Sequence, residues 1–300
     1  DTAGNPLSAQ SDTLLNKIVY PYIGGYGIGN VPESFAYGKH AKFFVDNNKG
    51  VVCRLSTDGV TPISILHKTN AFFVAKIALF KDTLNTLANT PATGTATIYG
   101  AYDAYTNKYI IALSQIVRSS VELQPAYTLS FLDSRDNKQG FESFLSFAPE
   151  NMTALNNLFV TFKDGKAWTH NANGYCTFYG VLYNCYVEAV FNDRPLDKKT
   201  FLAIMQTSNS PWYCPSIKSQ LNSYGSTPQL SSISEPRFVL LEGQYNSSIL
   251  RDANSPGGII NGDTMHGNYL IIKFQRDQAS AFYYINTVSL NYINSPLNTR

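Results

Sequence analysis

Charge is scarce in this 300-residue chain. Asp, Glu, Lys and Arg make up only 15% of it and leave a net charge of +2. Tight electrostatic binding of DNA needs clustered Lys and Arg that neutralise many phosphates, and such a balance does not predict it. A protein of this charge is still able to surround DNA without gripping it. Cysteine is almost as scarce: Cys53, Cys176, Cys185 and Cys214 form no C-x-x-C pair and fall short of the density of a disulfide scaffold. They read as reduced, partly buried thiols, with a Cys176–Cys185 bridge as the alternative. No run approaches eighteen apolar residues, and no basic segment followed by an apolar one opens the chain. Neither a membrane-spanning helix nor a secretory signal is read. The first residue is Asp rather than Met, which points to a processed product or a piece of a longer protein.

Catalytic and metal motifs are missing as well. The four histidines, His40, His67, His170 and His266, are scattered without a ligand-spaced Cys, His or carboxylate partner. There is no G-x-S-x-G elbow and no Cys with an evident His partner. Glycines 24, 25, 27 and 29 in YIGGYGIGNVPESF do not complete G-x-G-x-x-G, because Asn30 stands at the third position and Pro32 follows. A flexible turn before a strand is expected there.

What the chain does have is aromatic residues, 20 Tyr and 18 Phe, which suit sheets and subunit contacts better than solvated helices. Its length suffices for one large all-β domain or two medium ones. Hairpin signals recur. Phe43 to Val45 and Val51 to Leu55 flank Asn47-Asn48-Lys49-Gly50, and Ser56-Thr57-Asp58-Gly59 follows at once. IYGAY and KYIIAL flank residues 103–107, YTLSFLD and GFESFLSF flank Ser134 to Gln139, and LFVTF and KAWTH flank Lys163-Asp164-Gly165. These last three turns lie roughly thirty residues apart, the degenerate repetition of radial β architectures, although spacing alone does not separate a propeller from a sandwich. Phe73, Ile77, Phe80, Leu84 and Leu87 recur at helical spacing and predict one or two helices near 69–88. Gly94 and the Thr-rich run return the chain to strand. After His170, CTFYGVLY and YVEAVFN read as long strands and TFLAIMQ as another. Residues 207–235 read as an exposed Ser-, Asn- and Pro-rich excursion. RFVLLEGQY, NYLIIKFQ and AFYYINTVSLNYI finish the chain as strands.

Three site chemistries have candidate residues in the chain. A retaining glycosidase needs two carboxylates about 5–5.5 Å apart. Asp46, Asp58, Asp103, Asp133 and Glu142 are the candidates, but most sit at turn positions that favour Asp for local hydrogen bonding. Ser56-Thr57-Asp58-Gly59 resembles a sialidase Asp-box only loosely: that pattern has a residue between Asp and Gly and then Thr-Trp, and neither is present. Asp46-Asn47-Asn48, and Asp263 with Asn261, Gly262, Thr264 and His266, offer oxygen ligands without a full calcium loop. Solvated turns are expected. Tyr99, Tyr102, Tyr105, Tyr109, Tyr283, Tyr284 and Tyr292 offer a sugar-binding platform, against the usual tendency of sheet faces to bury or pair such rings.

The order of landmarks carries a resemblance. YIGGYGIGNVPESF, KFFVDNNKGVVCRLSTDGVTPIS, TLSFLDSRDNKQGFESFLSFAPENM, LFVTFKDGKAWTHN, TFYGVLY, VFND-P with a downstream Lys and Phe, PWY and LLEGQY stand in sequence over most of residues 20–290. Together they resemble blocks of the large tail proteins of crAss-like, short-tailed bacteriophages. Leu66-His67 stands where Gly-Met is expected, and 220–236 and 252–266 match little. The resemblance implies a virion tail component of the stem, nozzle or muzzle type, part of the conduit for genome ejection. It implies a cyclic homo-oligomer, six-fold by the family analogy, that contacts other tail proteins and lets DNA pass without sequence-specific binding. It carries over no catalytic residue, cofactor or metal. Asp58 and Gly59, like Asp164 and Gly165, are then structural turn residues.

The expected fold is all-β: propeller-like β blades with a small helical insertion, followed by a β-sandwich or barrel-like region. The expected divisions are an arm or linker over 1–20, a propeller-like region over 21–173 and a sandwich-like region over 174–300. The competing expectation is a carbohydrate-binding or carbohydrate-cleaving receptor module at the tail tip, which shares the β-rich composition.

Overall fold

A computed structural model describes residues 24–87, 97–118, 121–134, 139–172, 174–221, 227–277 and 281–294. The expected N-terminal arm, the Gly94 stretch and the centre of the turn at 134–139 lie outside the described residues. The chain is mostly β, in several antiparallel sheets, and divides into two units, Asp1–Ala172 and Asn173–Arg300.

The first unit opens with a four-stranded meander of β1 (Ala36–Tyr37), β2 (Lys42–Asp46), β3 (Val51–Ser56) and β4 (Gly59–Pro62). Alternation along β2 and β3 gives this sheet two buried faces. Phe43, Val45 and Val52 join the main core, whereas Phe44, Val51 and Cys53 form a smaller cluster with Tyr26 and Ile28 of the Gly-rich segment. Two helices follow, α1 (Ile63–Leu66) and α2 (Asn70–Leu87). The helical spacing is realised in α2, where Phe73, Ile77 and Phe80 are fully buried in the main core.

A second sheet contains β5 (Ile98–Asp103) and β6 (Lys108–Leu113). The hairpin β7 (Ile116–Arg118) and β8 (Val121–Gln124) intervenes before β9 (Tyr127–Leu132) and β10 (Gly140–Leu145) complete the order β10-β9-β6-β5. Both sheets and α2 share one core, in which Phe43 stacks on Tyr109 at 4.8 Å. The last meander is β11 (Asn151–Leu155), β12 (Leu158–Lys163) and β13 (Lys166–Thr169). Within it, the His170 ring packs 4.5 Å from Phe147 and 4.9 Å from Phe159, and its Nε2 is hydrogen-bonded to the Thr161 hydroxyl at 2.7 Å. Burial pulls the His170 imidazole down from 6.5 to about 4.

That depression has a sign. The unfolded chain protonates His170 before the folded one does, so the neutral ring's contribution is fully present above pH 6.5 and is lost as pH falls toward 4. The stability difference between the native chain and His170→Gln should therefore shrink across that window in urea titrations at successive pH values. A difference that does not change with pH would contradict this account.

The second unit begins with a small hairpin, β14 (Thr177–Phe178) and β15 (Val181–Leu182). CTFYGVLY is therefore two short strands rather than one long one. Tyr179 and Gly180 take φ +54° and +76° at the reversal, which needs two positive-φ residues in a row. RFVLLEGQY is corrected in the same way, with Glu242 and Gly243 at φ +49° and +78°.

The remaining strands are β16 (Cys185–Phe191), β17 (Lys199–Ser208), β18 (Tyr213–Leu221), β19 (Pro228–Ile233), β20 (Val239–Leu241), β21 (Gln244–Ser248), β22 (His266–Gly267), β23 (Leu270–Arg276) and β24 (Ile285–Asn294). One sheet runs β16-β23-β18-β19; the other is built on β17, which pairs with β21, β22 and β24. Their apolar residues meet in one core around Phe201, Ile204, Ile217, Ile272 and Phe274. A third, single-turn helix, α3 (Gly258–Asn261), lies between β21 and β22.

The expected excursion at 207–235 is overturned for its described residues, because β18 and β19 belong to this core, with Cys214, Ile217 and Ile233 fully buried. Its serines suit the interior because they are bonded there. The Ser219 hydroxyl donates to the His266 and Tyr269 carbonyls, and that of Ser231 to the Leu250 carbonyl.

Candidate functional site

Four of the five carboxylates that are candidates for hydrolysis bond other groups of the chain. Asp46, nearly fully buried at the end of β2, accepts from the Gly27 N–H at 3.1 Å and the Lys49 N–H at 3.0 Å. Asp103 accepts from the Tyr105 N–H, the Thr106 hydroxyl and the Asn171 amide, at 3.0, 2.6 and 2.9 Å. Glu142 pairs with Lys108 at 2.7 Å on the surface. Asp133 takes the Arg54 guanidinium at 3.2 Å, which ties β3 to the end of β9. The Tyr102 phenol beside them is pushed up to about 12, by burial first and the Asp133 charge second.

The Gly-rich segment is pinned rather than loose. Besides the Asp46 bond to Gly27, the Asn30 N–H donates to Asn47 Oδ1 at 3.4 Å, and Lys49 Nζ donates to the Gly25 carbonyl at 2.7 Å. The Lys49 ammonium also sits 4.4 Å from the centre of the Tyr26 ring. A Cβ on Gly29, at φ +59°, would run into the Asn47 amide oxygen, so glycine is required by both conformation and space. The first calcium candidate, Asp46-Asn47-Asn48, is therefore the latch that holds this segment on the hairpin.

In the second candidate, the Asp263 N–H donates to the Ser255 hydroxyl at 2.9 Å, and the Asp263 carbonyl accepts from the Asp252 N–H at 2.9 Å. Fully buried Asp252 accepts from the Leu230 and Asn254 N–H groups, each at 2.9 Å. Among the described residues no group of three or more His, Cys, Asp or Glu is placed to hold a metal ion.

The turn residues sit as follows. Ser56 pairs with Gly59 across Thr57-Asp58; Asp58 is exposed, and Gly59 has φ +108° with open space around its Cα. Lys163 pairs with Lys166 across Asp164 and Gly165, at φ +51° and +70°, the backbone of a two-residue primed turn. Gly59→Val should cost about 1 kcal/mol or more through positive-φ strain. Asp58→Asn should stay within about 0.5 kcal/mol, as exposed substitutions do. Urea melts measure both. Loss of a hydrolytic activity in Asp58→Asn at unchanged stability would contradict the turn assignment.

Sequence reasoning missed Lys199, at the start of β17 and only 1% exposed. Its Nζ donates to the carbonyls of Arg194, Asp197 and Asn268 at 3.0, 3.3 and 2.7 Å. Nearby, the Tyr292 hydroxyl donates to Asp193 at 2.5 Å. VFND-P and its downstream lysine are thus one anchoring device.

The tyrosines proposed as a platform are split. Tyr102 and Tyr109 are buried, whereas Tyr105 is exposed. In the second unit Tyr284 joins an exposed row with two rings outside that set: Tyr175 and Phe282 lie 5.5 Å apart, and Phe282 and Tyr284 5.9 Å apart.

Among the described residues no helix is long and apolar enough to cross a membrane. Compared with known proteins, the chain matches no family model and no curated protein.

Proposed function

We propose that the chain is a structural subunit of a bacteriophage tail, one of several identical copies forming a ring-shaped conduit for genome ejection in the virion. The observation that carries this is apolar surface on sheet edges. Val239, Leu240 and Leu241 are each more than half exposed along the edge strand β20, and edge strand β16 exposes Tyr186, Val187 and Val190. Runs of this kind invite pairing or burial against another chain. The collinear blocks add support, since Asp46, Asp58-Gly59 and Lys199 within them serve anchoring and turning. The four-stranded meanders of the first unit fit propeller-like blades, and the shared core of two sheets in the second fits a sandwich. A net charge of +2 suits a wall past which DNA slides. Native mass spectrometry of the purified chain tests the assembly. A closed ring, six-fold by the family analogy, is expected; a monomer at every concentration would count against it.

A second reading, a carbohydrate-binding module at the tail tip, is favoured by the Tyr175, Phe282 and Tyr284 row, because sugars stack on exposed rings. Titration against a glycan panel separates the two. Saturable binding abolished by Phe282→Ala would favour the receptor module, and no binding to any glycan would favour the conduit.

A further inference from the structure

Two of the four cysteines bracket the smallest hairpin of the second unit. Cys176 precedes β14 and Cys185 opens β16. Between them Thr177 pairs with Leu182 and Phe178 with Val181, while the Tyr183 N–H donates to the Cys176 carbonyl at 2.8 Å. The chain doubles back tightly enough to bring the two thiols beside each other. Both are half-buried and so open to a small reagent, whereas Cys53 and Cys214 are fully buried. We propose that Cys176 and Cys185 form a reactive dithiol that closes to a disulfide on meeting a small-molecule disulfide such as oxidised glutathione, stapling the hairpin to the first residue of β16.

The chemistry balances in two exchanges. A Cys176 thiolate attacks one sulfur of the glutathione disulfide, whose S–S bond breaks, and the departing glutathione thiolate takes up the proton that Cys176 lost. Cys185, deprotonated in turn, attacks Cys176 Sγ and displaces the second glutathione, which leaves as a thiol. Two electrons pass from the protein thiols to one glutathione disulfide. Burial and the neighbouring Cys176 push the Cys185 thiol up to about 11, and the linked product is the same whichever of the two thiols attacks first. Cys53 and Cys214, each pushed up to about 12 mainly by burial, are poor nucleophiles and serve as internal controls.

The test treats the folded chain with oxidised glutathione at neutral pH, then unfolds it in an alkylating agent and maps the peptides. The expected product links Cys176 to Cys185, lacks two hydrogens relative to the dithiol, and carries alkyl groups only on Cys53 and Cys214. Cys176→Ser should leave Cys185 unlinked. A Cys53→Ser/Cys214→Ser double variant should still form the link, which excludes scrambling during unfolding. Separate alkylation of Cys176 and Cys185, or a glutathione adduct stable on each, would overturn the proposal. None of these outcomes depends on the tail assignment.

Discussion

Replacing Lys199 with methionine is expected to destabilise the second unit by about 2–5 kcal/mol, roughly 1–3 for each carbonyl left without a donor. The stem is preserved, so the apolar packing changes little. What disappears is the ammonium that donates to three carbonyls at 2.7–3.3 Å, those of Arg194, Asp197 and Asn268, of which only that of Arg194 keeps a further donor among the described residues, the Asp197 N–H at 3.0 Å. Leaving such an acceptor without its donor costs about 1–3 kcal/mol. The loss falls on β17, the strand to which β21, β22 and β24 all pair, so it is not confined to a loop. Thermal melts followed by circular dichroism should show a fall of roughly 10 °C or more. A change worth less than about 1 kcal/mol would mean that the Asp197 and Asn268 carbonyls find other partners.

Gly100→Ala is expected to cost about 3 kcal/mol or more in the first unit, at the upper end of overpacking penalties. Gly100 lies in β5, where the single turn over Pro32–Ser34 crosses it. A Cβ there would overlap the Ser34 carbonyl and come within 2.7 Å of the Tyr109 hydroxyl oxygen. Neither neighbour yields readily. The Ser34 carbonyl accepts from the Tyr109 hydroxyl at 2.5 Å, and the Ser34 hydroxyl both donates to the Val31 carbonyl and accepts from the Val45 N–H. Tyr109 itself is fully buried and stacked on Phe43, so relief would have to move the core. Tyr109→Phe, which removes only the hydroxyl, should cost about 1–2 kcal/mol and calibrates the comparison. If Gly100→Ala proves no worse than Tyr109→Phe in urea, the close approach is not as tight as described.

Legibility in the sequence followed the range of the interactions. Turns such as Asp164-Gly165 announce themselves because Asp and Gly adopt positive φ, and α2 announces itself through Phe73, Ile77 and Phe80. The reversals at Tyr179-Gly180 and Glu242-Gly243 were hidden, because Tyr and Glu are unusual in the first left-handed position. β18 and β19 were hidden by serines that are exposed in most proteins and here bond buried carbonyls across the sheet. The anchors were least legible. Nothing local to VDNNKG shows that Asp46 holds Gly27, nor does a lysine between Lys198 and Thr200 announce that it is buried. Both depend on carbonyl or N–H groups brought in by distant chain, which no spacing rule reports.

Cryo-electron microscopy of intact virions that carry this chain is the decisive measurement. A closed ring of identical copies coaxial with the tail is expected, with β16 or β20 buried against a neighbouring chain and open space for DNA on the axis. Isolated copies on peripheral fibres, or trimers ending in a sugar-binding tip, would contradict it.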